Sequence, residues 1–419
     1  MPPTVADYQI LIVGAGLAGL HCALRLTDKY PNISIAIAEE YNYIGGRIFT
    51  YKPKGFPDIQ WESGAGRIHY SHKLVTKYVE QYKLTKIPLP SEKEYISNRA
   101  HFKDIWKSLS EVVVKALSSL SPATLSSNTV EELMIKTYGK DETRSVLEHF
   151  PYRAELNTLR ADLALKSFRH EMGKNTGFYV VKEGLGTLVE KMRQTLKERG
   201  VIFLLNHRLS AVEPNTTPII CKFNNNARIR ADKVILALHS EALKGISPFV
   251  NLPILKHLSM KPLLRTYAIF PTPAGVPWFS GMSSMITDEK LRYIIPINPK
   301  QGTIMTSYTD DDDTKPWVKI LHNDGEKALG KSIVKDLREI MGSTPIPDPV
   351  YFKAHLWTKG CTYWLPGLYK PEVMSEKVMN PLPGMWQNLY VCGESYSLRQ
   401  AWMEGALEHA DAMLDKYFL

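Results

Sequence analysis

The sequence predicts an α/β protein in two parts: a doubly wound, mostly parallel sheet that is discontinuous along the chain, and a second domain of mixed β-sheet with a helical insertion. Three observations predict it. An apolar strand passes through a glycine-rich turn into a helix over Ile10–Leu20. Near-continuous apolar runs recur at 33–38, 201–205 and 233–238, the pattern of parallel strands covered on both faces. Between them lies a long polar stretch with helical spacing. At 419 residues the chain is long enough for two cores.

Composition narrows the class. Hydrophobic content of 44% and charged content of 23% are those of a globular chain, and the longest apolar run, near 10–20, is too short to span a bilayer. The first strand begins close to Met1 with no signal peptide before it. Cys22, Cys221, Cys361 and Cys392 are widely spaced with no C-x-x-C pair, so neither a disulfide framework nor a zinc site is indicated. Both features set the expectation of a reducing, cytoplasmic setting. The net charge of +9 is spread along the chain without a basic run interleaved with aromatics. It therefore indicates steering of anionic ligands rather than nucleic-acid or membrane binding.

The opening strand and turn carry the first chemistry. Gly14 allows a tight turn, Gly16 lets backbone approach a pyrophosphate, and Gly19 lets the helix pack on the strand. Leu17 and Ala18 open that helix, whose N–H groups and positive dipole end favour phosphate. The strand at 33–38 ends at Glu39, followed by Glu40, about 20 residues past the last glycine. An acid there accepts ribose hydroxyls and disfavours a 2′-phosphate, so the nucleotide is FAD or NAD rather than NADP. This part is Rossmann-like.

Next comes Gly45-Gly46-Arg47, where two glycines permit close approach and the arginine offers a bidentate cation. Fingerprint, acid and Gly-Gly-Arg at this spacing resemble the flavin-containing amine oxidase superfamily, which includes monoamine, polyamine and L-amino-acid oxidases. The resemblance implies FAD, with Arg47 on its pyrophosphate. It implies that Gly64, Ala65 and Gly66 pass close to the isoalloxazine ring. Arg67 falls where the L-amino-acid oxidases carry the arginine that clamps the substrate carboxylate; the alternative is that it contacts flavin phosphate or a nearby acid.

From Lys73 to about Arg169 the spacing predicts helices, with Leu74, Val75, Tyr78, Val79 and Tyr82 in one stripe and Ile105, Leu109, Val112, Val113 and Ala116 in another, joined by a connector at 121–127. The run Phe178–Val181, then Gly184 and Gly186 and the helical 188–192, returns the chain to the nucleotide domain. Residues 252–349 suggest a second sheet, with one amphipathic helix near Gly325 to Met341. Asp310–Asp313 reads as a solvated acidic loop capping a helix, or alternatively as an attraction for a polycationic amine. The expected division gives 1–72, 178–250 and 380–419 to the FAD domain, and 73–177 with 251–379 to the substrate domain.

Two positions depart from the family. Most amine oxidases place a lysine on a substrate-domain strand, and Arg265 falls at or near that place. Arginine can orient water or bind an anion but cannot act as a base. Cys361 matches the cysteine that holds flavin covalently in monoamine oxidases, but Thr362 replaces the adjoining tyrosine, the nearest aromatics being Tyr363 and Trp364. Non-covalent FAD is therefore expected, with a link at Cys361 as the alternative. The end of the chain, Asn388–Ser397 followed by Gln400–Leu407, resembles the family's closing signature. By that resemblance Gly393 allows close approach, Glu394 binds ribityl hydroxyls or organises the phosphate arginines, and Met403 and Ala406 lie at a helix start facing the flavin. Trp402, with Trp364, would wall the substrate site.

The resemblance implies oxidation of a C–N bond by hydride transfer to flavin, reduction of oxygen to hydrogen peroxide and hydrolysis of the imine. Arg67, Arg265, Trp364 and Trp402 are the candidate catalytic residues, and Arg67 favours an amino-acid substrate. Other readings stay open: a monoamine or polyamine oxidase, a flavin desaturase, or a non-catalytic FAD-binding partner protein.

Overall fold

A computed structural model describes residues 5–90, 93–96, 101–103, 112–171, 177–288 and 290–419. The chain folds around two seven-stranded sheets. In the first, the spatial order is Ile202–Leu204, Ile35–Ala38, Val5–Val13, Arg228–Leu236, Ile219–Phe223 and Leu209–Val212, with Leu389–Val391 on the far end of Arg228–Leu236. Start, middle and end of the chain therefore share one sheet. The five strands other than Leu209–Val212 and Ile219–Phe223 are parallel, and their carboxyl ends align: Val13 lies opposite Ala38 and Leu236, and Leu236 opposite Val391. Ligands bind at that edge of such sheets because the following loops diverge there.

The apolar run of the first strand is explained by burial on both faces. Ile10 and Ile12 pack into one core with the helices Leu17–Lys29, Leu185–Glu198 and Met403–Tyr417, whereas Leu11 and Val13 face the other core. All four are at most 3% exposed.

The second sheet runs Tyr351–Trp364, Leu258–Ile269, Thr303–Asp310, Tyr293–Asn298, Ser284–Ile286, Lys93–Ile96 and His101–Lys103. The helical stretch Lys315–Met341 covers it through Trp317, Leu329, Ile333 and Leu337. Gly325 stands at φ 82 and breaks this stretch into two helices, so the expected helix after Gly325 is its second half and Lys315–Asp324 is an added helix before it.

Two expectations need correction. The region 73–169 is not helical throughout: Lys86–Pro88 pairs with Phe178–Val181, and Lys93–Ile96 joins the second sheet beside Ser284–Ile286. Strands this short owe their form to distant partners rather than local pattern. The stripe 105–116 falls partly outside the described residues. Asp310–Asp313 is not a solvated loop: Asp310 and Asp311 are 5% and 6% exposed. Asp310 accepts the N–H groups of Arg153 and Ala154 at 2.8 and 2.9 Å, Asp311 pairs with Lys261 at 3.0 Å, and Asp313 with Arg292 at 3.2 Å. Among the described residues no helix is long and apolar enough to cross a membrane.

Candidate active site

A cavity of about 1290 Å³ opens at the carboxyl edge of the first sheet and continues beneath the second. Every predicted site residue lines it except Gly19 and Trp364.

At the nucleotide end the turn is held by backbone. Gly14 has φ +106, and a Cβ there would lie 2.4 Å from the carbonyl oxygen of Ala237. A Cβ on Gly19 would lie 2.0 Å from the carbonyl oxygen of Gly14, so Gly19 serves helix-on-strand packing rather than the cavity. Gly16 differs: nothing closer than 4.0 Å, the Cα of Gly46, would meet its Cβ. That space belongs to the cavity and leaves the turn open to a phosphate. The two glycine loops clasp each other through the Gly45 N–H, which donates to the carbonyl of Ala15 at 2.9 Å. Glu39 accepts the N–H groups of Ala15 and Tyr41 at 2.8 and 3.1 Å, and burial raises its carboxyl above the usual range. Glu40 stands beside it on the cavity wall. Cradle, acid and cavity fit FAD.

Arg47 is committed partly to protein. Its Nη1 donates to the carbonyl of Gly360 and its Nη2 to Glu394, both at 2.8 Å. Glu394 also accepts the N–H of Ala401 at 2.7 Å and the hydroxyl of Thr362 at 3.1 Å. Glu394 thus joins the second glycine loop, the strand Tyr351–Trp364 and the approach to the last helix. Trp402, Met403 and Ala406 bring that helix's first turn to the cavity. Glu404 turns away and caps the helix Lys73–Gln81 by accepting from Leu74 and Val75 at 2.9 and 3.0 Å.

Over the expected ring position, Gly64, Ala65, Gly66 and Arg67 cross the cavity. The smallness of Gly64 answers to protein: a Cβ there would lie 2.0 Å from the carbonyl oxygen of Arg47 and 3.2 Å from the Trp357 ring. The carbonyls of this segment are gripped from the second sheet. Trp357 Nε1 donates to Ser63 at 2.7 Å, the Tyr267 hydroxyl donates to Glu62 at 2.7 Å, and Arg265 donates to Gly64. The Arg265 guanidinium also lies 4.6 Å over the ring of Tyr308. The Glu62 carboxyl accepts the Leu185 N–H at 2.7 Å, and burial pushes it up to about 7.

The Arg67 guanidinium lies over three rings: 4.4 Å from Phe178, and 5.4 Å from both Tyr152 and Trp402. Phe178 and Trp402 stack on each other at 5.8 Å. Arg67 therefore occupies an aromatic cage of this chain's own making. Trp364 corrects the expected wall: it is fully buried, and its Nε1 donates to the carbonyl of Ser397 at 2.9 Å. Neighbouring residues of a strand face opposite sides, and it is Tyr363 that lines the cavity. Burial holds the Cys361 thiol up at about 12, so it stays protonated and a poor nucleophile.

Sequence reasoning missed Glu62, Tyr152, Trp357, Tyr308 and His239, all on the cavity wall. Only Glu62 carried a signal, its place before the small-residue run. Trp357 lies four residues before Cys361, in a segment read for its cysteine alone, and the other three come from segments with no local motif.

Comparisons with known proteins accord with this geometry. The family model described as flavin containing amine oxidoreductase matches residues 17–412. Aplysianin-A of Aplysia kurodai is 23% identical, with 98% of this chain and 90% of that protein covered. An L-amino-acid oxidase of Crotalus adamanteus is 22% identical over 57% of this chain and 52% of its own length. Among solved structures, putrescine oxidase bound to putrescine superposes with a TM-score of 0.76 at 16% identity, covering 99% of both chains, a likeness of fold.

Proposed function

The chain belongs to the flavin-containing amine oxidoreductases, and on that premise we propose that it oxidises the C–N bond of an amino acid whose carboxylate is held by Arg67. The observation that carries this reading is the placement of the Arg67 guanidinium over Phe178, Tyr152 and Trp402. Aromatic faces of this kind attract a substrate ammonium. Here they already carry a cation, so a second cation meets like charge and a carboxylate meets its partner. Arginine's planar fork suits a carboxylate, and a desolvated pair of this type resists displacement.

Bound FAD, non-covalent given the protonated Cys361 thiol, supplies the two-electron acceptor, with oxygen the acceptor usual for the family. Gly14, Gly16, Glu39 and Arg47 would hold its nucleotide half. This chain's residues bind, orient and keep the site dry. The tyrosine and tryptophan walls lower the local dielectric, which favours a neutral amine over an ammonium. Arg265, which cannot surrender its proton, holds the segment before Arg67 in place instead of serving as a base.

A polyamine reading would rest on Asp310, which lines the cavity. Both its oxygens are engaged by N–H groups of Arg153 and Ala154, which leaves the amino-acid reading ahead. The test replaces Arg67 with Ala and follows peroxide formation from an amino acid and from its decarboxylated amine. Loss of the carboxylate's charge partner should lower kcat/KM for the amino acid by about 100-fold, with the amine unchanged or improved. Equal loss on both would sink the clamp.

A further inference from the structure

We propose that His239 is a nucleotide ligand: its ring donates Nε2–H to the pyrophosphate of bound FAD. This goes beyond the substrate reading and holds for an amine or an amino acid alike.

The backbone places it. The Ala237 N–H donates to the carbonyl of Val13 at 2.8 Å, and the carbonyl of Ala237 packs against Gly14. The chain Ala237–His239 thus leaves the parallel sheet beside the phosphate turn, at the edge where such sheets bind ligands. His239 lines the cavity with Gly14, Arg47 and Glu394.

Its tautomer follows from a hydrogen bond. As N-cap of the short helix Ser240–Lys244, His239 receives the N–H of Ala242 on Nδ1 at 3.1 Å. A nitrogen that accepts carries no proton, so in the uncharged ring the proton is on Nε2. Burial and the nearby Arg47 charge hold the ring down at about 4, so it is uncharged at neutral pH. No described protein group accepts from Nε2. Glu394, the acceptor nearest in charge, is already engaged by Arg47, Thr362 and Ala401. A donor on a residue that lines the cavity beside Gly14 and Arg47 has a phosphate oxygen as its natural acceptor.

Two isosteric variants of the full-length holoenzyme separate cap from donor. His239→Asn puts an acceptor where Nδ1 stands and removes the distal donor. His239→Gln puts an N–H group near Nε2 and gives up the cap. Flavin fluorescence on serial dilution reads FAD affinity, and phosphorus NMR reads the bound pyrophosphate. His239→Asn should weaken FAD binding about tenfold, the worth of one charge-assisted hydrogen bond, and move a pyrophosphate resonance. His239→Gln should bind as wild type does. An Asn variant with unchanged affinity and spectrum overturns the proposal. So does a Gln variant as weak as the Asn variant, which would show that an N–H group restored near Nε2 does not restore binding.

Discussion

Arg47 and Glu394 stand 347 positions apart in the chain and meet at 2.8 Å, with side-chain exposures of 30% and 6%. The pair ties the second glycine loop to the closing signature, so the two ends of the sequence build one wall. Breaking it by Glu394→Gln keeps an acceptor for Ala401 but leaves Arg47 without its counter-charge. The expected loss is about 2 kcal/mol, under the 3–5 kcal/mol of a fully buried pair because Arg47 keeps some solvent. Urea midpoints of the two proteins, each saturated with FAD, measure it.

Arg265 grips the carbonyl of Gly64 while Tyr267 and Trp357 hold those of Glu62 and Ser63. Arg265→Met therefore frees the segment that precedes Arg67. Its flavin absorbance bands should lose vibrational structure and its KM for the amino acid should rise. Arg265→Lys should restore either one only in part, since an ammonium lacks the planar fork. Full rescue by lysine would show that charge alone matters there.

The parts of the fold that were legible in the sequence are those whose causes are local. Ile10–Val13 shows its double burial in an unbroken apolar run, and Gly14, Gly16 and Gly19 show the turn. The rest depends on partners far along the chain. Lys93–Ile96 is a strand because Ser284–Ile286 lies beside it. Asp310 is buried because the N–H groups of Arg153 and Ala154 receive it. Trp364 was placed on the site wall and faces Ser397 instead, a matter of strand phase that one residue decides. The cage around Arg67 draws Tyr152 from a segment without a motif and Phe178 from a strand legible only as a return to the nucleotide domain, so no spacing announced it.

Glu62 supplies a pH signature. Its folded value of about 7 lies above the ordinary 4.5, so between those limits the native state binds more protons than the unfolded chain. Stability from this group is complete below about 4.5 and is lost as pH rises through about 7. Glu62→Gln removes the cost of burying the ionised form and keeps an acceptor for Leu185. The melting temperature of the variant should exceed that of wild type at pH well above this window, the gap closing at its acid end. A gap independent of pH would mean that Glu62 titrates in the folded protein where it does in the unfolded chain.

Gly16 and Gly19 separate binding from folding. Gly19→Ala would put a Cβ 2.0 Å from the Gly14 carbonyl oxygen, a clash only backbone movement relieves. Overpacking of this kind typically costs about 1–3 kcal/mol, so the variant should be less stable with or without FAD. Gly16→Ala meets nothing within 4 Å except the Gly46 Cα at that limit, and its φ of −74 suits alanine. Its new methyl enters the space read as the phosphate cradle. The protein without FAD should melt as wild type does, while FAD affinity falls by at least about tenfold, or 1.4 kcal/mol. Thermal melts with and without FAD distinguish the two. Undiminished affinity in Gly16→Ala would move the pyrophosphate away from this turn, and with it the reading of the loop as a phosphate cradle.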